Sequence, residues 1–70
     1  MTGRPWTPRD LFLVRLMIDY SLDQFARAMG FPFAVVAEWE SGKRPIPDDE
    51  EFEALVYDTI DRAFRGWPKR

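Results

Sequence analysis

The chain has 70 residues, of which 46% are apolar, and its net charge is −2. It contains no Cys and no His, which excludes disulfides, thiolate metal sites, the commonest zinc ligand and histidine proton shuttles. We expect a single domain over residues 1–70, with no membrane span, no signal peptide, no metal and no cofactor. A chain this short buries only about 60% of its unfolded surface, so good helix packing or a partner subunit must supply stability.

Charge is distributed unevenly along the chain. Residues 1–47 contain six basic and five acidic residues, whereas residues 48–70 contain seven acidic and four basic residues. Five of the six residues from 48 to 53 are acidic. We interpret this run as the solvated start of a helix, because carboxylates stabilise the positive end of the helix dipole. Net charge does not exclude nucleic-acid binding, since a ligand meets the field of one face.

A capping box predicts the first helix. Thr7 is followed by a proline and, three residues later, by Asp10, which predicts a helix over 8–20. The segment is apolar nearly all round, which indicates either a crowded core or a subunit contact on its second side. The apolar residues are Leu11, Phe12, Leu13, Val14, Leu16, Met17 and Ile18.

Three further helices are predicted after it. Ser21 and Gln24 form a second capping box that opens a helix over 22–29, and Gly30 is the natural left-handed residue to end it. A third helix is predicted over 33–41 and a fourth, longer helix over 49–65. No strand-like alternation occurs, so the predicted fold class is all-α, with four helices and short loops.

Helices 2 and 3, joined through a glycine turn, are typical of a helix-turn-helix motif. Packing of the two helices requires a small residue such as Ala26 at their crossing, and Val36 and Trp39 must then point inward. The outward positions lie on the half of helix 3 that enters the DNA major groove in this motif. These candidate base-reading residues are Phe33, Ala34, Ala37 and Glu38.

Two stretches resemble the Xre/Cro-type repressor family: SLDQFARAMG at 21–30 and VAEWESGK at 36–43. The stretch WESGKRPIPDD at 39–49 resembles more narrowly the small anti-CRISPR-associated repressors of phages and plasmids. The resemblance implies that an arginine on helix 1, here Arg15, pairs with the acid after the helix 3 aromatic, here Glu40. It also implies phosphate contacts from Ser21, Arg27, Lys43 and Arg44.

The proposed reading face departs from the family pattern, which usually offers polar side chains there. Phe33, Ala34 and Ala37 make no side-chain hydrogen bonds, although they suit thymine methyl groups. Glu38 suits a cytosine amino group and otherwise repels phosphate. The departure leaves two alternatives open, weak direct readout supplemented by DNA shape, or a face that binds protein.

Enzyme chemistry has little support in the sequence. Ser21 and Ser41 have no histidine base, no glycine-rich phosphate loop occurs, and the acidic run at 48–53 lacks the alternating spacing and turn glycine of a Ca²⁺ loop. We therefore expect no enzymatic activity.

The sequence and the resemblance together predict a homodimeric, double-stranded-DNA-binding transcriptional repressor. We expect it to act in the cytoplasm of a bacterial or phage-infected cell, without a small-molecule ligand, and to occlude its own promoter by binding an inverted repeat. The alternative is a helical protein-protein interaction module, or a toxin-binding antitoxin, that uses the apolar face of helix 3. The predicted dimer interface is Tyr57, Ile60, Phe64 and Trp67, with Phe12 or Leu13 as possible additions.

Overall fold

The computed structural model describes residues 5–65, and these form four α-helices with no strand among them. The all-α, four-helix fold predicted from the sequence is confirmed. No helix in the described part of the chain is both long and apolar enough to cross a bilayer. The helices are α1 (Pro8–Met17), α2 (Leu22–Met29), α3 (Phe33–Ser41) and α4 (Glu50–Arg65).

Side-chain caps fix where three of these helices begin. The Thr7 hydroxyl oxygen accepts from the Asp10 N–H at 3.1 Å, and the Asp10 carboxylate accepts from the Thr7 N–H at 3.0 Å. Ser21 and Gln24 make the same reciprocal pair before α2. Asp49 Oδ1 accepts from the Phe52 N–H at 2.7 Å before α4. Both predicted capping boxes are confirmed, and α4 begins one residue later than predicted because Asp49 is its cap.

The predicted end of the first helix is wrong by three residues. Helix α1 ends at Met17, and Asp19 adopts a left-handed conformation with φ +61°. The N–H groups of Asp19 and Tyr20 donate back to the carbonyls of Leu16 and Arg15, both at 3.1 Å. This hydrogen-bond pattern satisfies the last carbonyls of the helix, and aspartate is one of the few residues besides glycine that tolerate the conformation.

Gly30 makes the turn between α2 and α3. Its φ is +81°, and the N–H groups of Gly30 and Phe31 donate to the last turn of α2. A Cβ built on Gly30 would meet nothing within 4 Å. The glycine is therefore required for its backbone conformation and not for lack of space.

Gly30→Ala should lower the free energy of unfolding by about 1 kcal/mol, because alanine is strained at this positive φ. Gly30→Asn should cost less, since asparagine visits the left-handed region more readily. Urea denaturation followed by circular dichroism measures both. An alanine variant as stable as the parent, or an asparagine variant less stable than the alanine variant, would contradict the conformational explanation.

One apolar core joins all four helices. Trp39 lies at its centre, with ring-centroid distances of 4.8 Å to Phe31 and 5.3 Å to Phe52, and both contacts are edge-to-face. Helix α3 packs against α1 and α2, and α4 packs against α2. The buried apolar residues are Leu11, Ile18, Phe25, Ala26, Met29, Val36, Trp39, Phe52, Val56 and Ala63.

Polar contacts also fasten α4 to α2. Thr59 is buried, and its hydroxyl donates to the Leu55 carbonyl at 2.8 Å and lies 3.4 Å from Met29 Sδ. Arg62 donates to the Ala28 carbonyl at 3.0 Å, near the C-terminus of α2. Helix α4 therefore stabilises α2, the helix that precedes the Gly30 turn, and α2 in turn supports α3.

Candidate nucleic-acid interface

The outer face of α3 is open to solvent within the described residues. Phe33 is 51% exposed and Ala34 is also exposed, whereas Ala37 and Glu38 are half-buried. The opposite face of α3 packs into the core, where Val36 and Trp39 are buried. The structure thus places the four predicted base-reading side chains together on one helix, and residues 5–65 do not cover the leading end of that face.

The N-terminus of α3 has no side-chain cap, and in its first turn the Val35 N–H donates to the Pro32 carbonyl at 3.1 Å. Pro32 precedes the helix in an extended conformation, and the first turn contains no acidic residue. The positive end of this helix dipole is therefore not neutralised locally. Phe33, the exposed aromatic residue, sits directly at this end.

Arg15 and Glu40 form a bidentate ion pair that holds α3 against α1. Arg15 Nε donates to Glu40 Oε2 at 2.9 Å, and Nη2 donates to Oε1 at 3.1 Å. The third donor, Nη1, bonds the Tyr20 carbonyl at 3.1 Å, and the guanidinium lies 5.4 Å from the Phe12 ring centroid. The side chains are only 17% and 10% exposed. The pair thus fixes the C-terminal end of α3 relative to the loop that leads into α2.

Glu38 and Arg44, predicted as separate DNA contacts, bind one another. Arg44 Nε donates to Glu38 Oε1 at 2.7 Å, across the turn that ends α3. Gly42 makes that turn with φ +83°, and the turn brings Arg44 back towards Glu38. The pair leaves the C-terminal part of the reading face close to neutral.

The other predicted phosphate ligands differ in the hydrogen bonds and ion pairs that their side chains already make. The oxygen of the Ser21 hydroxyl caps α2, which leaves its hydrogen available to donate. Arg27 pairs with Asp23 at 3.2 Å, although both side chains are mostly exposed. Lys43 is exposed and makes no ion pair within residues 5–65. Lys43 is thus the predicted phosphate ligand with the least competition from a neighbouring carboxylate.

A second apolar surface is a groove between α1 and α4, with a volume of about 370 Å³ and no lining residue from α3. Of the predicted dimer residues, Tyr57 and Ile60 line this groove, and Phe64 is 39% exposed on the same helix. Trp67 lies outside the described residues. The remaining lining residues are Trp6, Asp10, Leu13, Val14 and Met17.

The sequence reasoning missed the two ion pairs on the predicted DNA side. The spacing of Asp23 and Arg27, four residues apart on a helix, could have indicated the first. Glu38 and Arg44 carry no such periodic signal, because a turn lies between them. It also missed Trp6, which packs edge-to-face on Phe52 at 6.4 Å and forms part of the groove wall.

No protein-family model, curated protein or solved structure matches the chain. Within residues 5–65, acidic residues nowhere gather into a group of three or more that would hold a metal ion.

Proposed function

We propose that this protein is a helix-turn-helix transcriptional repressor that binds double-stranded DNA as a homodimer, in the cytoplasm of a bacterial or phage-infected cell. The observation that carries the proposal is the outer face of α3, which is solvent-facing at Phe33 and Ala34 and rigidly backed by Val36 and Trp39. A short helix held in this way after a glycine turn is the element that such proteins insert into the major groove.

The chemistry of this face suits a mainly apolar readout. Phe33, Ala34 and Ala37 have the size and polarity to pack against thymine methyl groups, which distinguish thymine in the major groove. Ser21, Lys43 and Arg44 would hold phosphates on either side, and Arg27 would reach the backbone from α2 once it leaves Asp23. Few direct hydrogen bonds to bases are available, so DNA shape would supply part of the specificity.

Two copies are needed for tight, specific binding. A single module of this size buries too little surface, whereas a dimer places two α3 helices in major-groove half-sites about 34–36 Å apart. The groove between α1 and α4 is lined by none of the reading-face residues and offers an apolar contact. Occupying an inverted repeat in its own promoter would repress transcription by excluding polymerase.

Titration of a fluorescent duplex at about 50 mM and about 200 mM salt tests the proposal, because released counterions make phosphate-dependent binding salt-sensitive. Lys43→Ala should weaken binding to every duplex roughly three- to tenfold and reduce the salt slope by about 1. Arg65→Ala, which removes the same charge from α4, should change neither. Absence of binding by the parent protein at the lower salt concentration would reject the repressor proposal.

One observation favours a second candidate function. Phe33 exposes half of a large aromatic side chain at the start of α3, and exposed aromatic residues are frequent anchors of protein interfaces. A helical interaction module, or an antitoxin that binds a toxin through this face, would use it directly. Such a protein would lose its partner on Phe33→Ser while showing no salt-dependent affinity for duplex DNA.

A further inference from the structure

Position 38 holds Arg44 in two independent ways. The Glu38 carboxylate accepts from Arg44 Nε at 2.7 Å, and the Glu38 carbonyl accepts from the N–H groups of Lys43 and Arg44 at 2.9 and 3.3 Å. The backbone bonds belong to the turn at Gly42 that ends α3. The turn therefore places the Arg44 side chain at the outer surface of α3, within hydrogen-bonding distance of the Glu38 carboxylate.

The side-chain bond is weak enough to exchange. Glu38 is 41% and Arg44 is 50% exposed, and ion pairs at this exposure contribute little net free energy. Within residues 5–65 only Nε of the guanidinium is engaged, in contrast with the part-buried Arg15 and Glu40 pair, in which three arginine nitrogens bond. A phosphate competes for the guanidinium, and a nitrogen donor on a base competes for the carboxylate.

We propose that Glu38 is a specificity-determining residue that lowers the affinity for non-cognate DNA by holding Arg44. The inference rests on the proposed function, since it concerns how the same face chooses its DNA. On non-cognate DNA, freeing Arg44 for a phosphate leaves the Glu38 carboxylate unpaired beside the negatively charged backbone. On cognate DNA, the N4 amino group of a cytosine replaces Arg44 as the donor to Glu38, so both groups are satisfied.

This exchange explains why a carboxylate stands on a DNA-facing surface at all. A glutamate that only repelled phosphate would weaken binding to every sequence equally. A glutamate that exchanges one donor for another weakens binding everywhere except where a cytosine amino group meets it. The apolar residues Phe33, Ala34 and Ala37 have no polar group that would give this discrimination.

The test compares Glu38→Gln with Glu51→Gln, a matched loss of one negative charge at an exposed position of α4. Affinity for a mixed-sequence duplex is measured at two salt concentrations, and each protein also selects from a pool of randomised duplexes. Glu38→Gln should bind the mixed-sequence duplex roughly three- to tenfold more tightly than Glu51→Gln, with a salt slope steeper by about 0.9. Its selected sequences should lose a cytosine that the parent protein requires.

A variant at Arg44 tests whether the gain in affinity of Glu38→Gln comes from the release of Arg44. The same substitution in an Arg44→Gln background should give a smaller gain in affinity and a smaller change in salt slope, because it relieves repulsion of phosphate but no arginine remains to be released. A gain and a salt slope that are equally large without Arg44, a Glu38→Gln variant that binds no better than Glu51→Gln, or an unchanged set of selected sequences would overturn the inference. Failure of the proposed function looks different, since the parent protein would then retain no duplex from the pool at low salt.

Discussion

Glu40→Ala is expected to lower the free energy of unfolding by about 2 kcal/mol. The substitution leaves the Arg15 guanidinium without its bidentate partner in a position where only 17% of the side chain is exposed. Removing one member of a buried pair is costly because the remaining charge has lost its solvation by water and its compensation by the partner. The total free energy of unfolding of a small domain is only about 5–15 kcal/mol, so the midpoint of urea denaturation should shift to a much lower urea concentration.

Two further variants separate this explanation from a general effect of removing charge. Arg15→Met combined with Glu40→Met should be markedly more stable than Glu40→Ala, because no unpaired charge is buried. Arg27→Ala breaks the exposed pair with Asp23 and should cost no more than about 0.5 kcal/mol. If the double variant is no more stable than Glu40→Ala, burial of an unpaired arginine is not the cause.

Met17→Glu is expected to abolish the homodimer and to reduce affinity for a two-half-site duplex by about 100-fold or more, because the second half-site contact is no longer made within one complex. Met17 lines the groove between α1 and α4, where a carboxylate would be buried without a partner on association. Its side chain is 49% exposed in the described structure, so the monomer should still fold. Sedimentation velocity measures the oligomeric state, and duplex titration measures the affinity.

Leu16→Glu is the matched control for this experiment. Leu16 neighbours Met17 in the last turn of α1 and is 54% exposed, but it is not among the residues that line the groove. Both variants place the same new charge at the same end of the same helix. A protein that dimerises equally well with either substitution would place its dimer interface elsewhere, and a monomeric parent protein would contradict the homodimer itself.

Local sequence signals predicted the helices well where a side chain or a glycine acts on its own neighbours. Thr7, Ser21 and Gly30 act within one turn of the chain, so their effects follow from the sequence around them. Asp19 shows the limit of such reasoning. Aspartate tolerates the left-handed region without requiring it, so its presence alone does not mark the end of a helix, and the contact between Arg15 and the Tyr20 carbonyl lies in the same turn.

The candidate site was predicted less completely. The outward positions of α3 followed from its amphipathic pattern, and the family resemblance implied that Arg15 and Glu40 pair. The bond between Glu38 and Arg44 has no signal in the sequence, which predicts an independent role on DNA for each residue. That bond depends on the direction in which the chain leaves the Gly42 turn, which the identity of the residues does not specify.

The sequence by itself determined the helix starts, the glycine turn at Gly30 and the side of α3 that faces the core, because capping, left-handed backbone and apolar periodicity are local properties. The tertiary structure alone decided that Glu38 and Arg44 neutralise one another and how α1 and α4 enclose an apolar groove. These features join side chains from different helices and turns, and their distances are set by how the helices pack around Trp39.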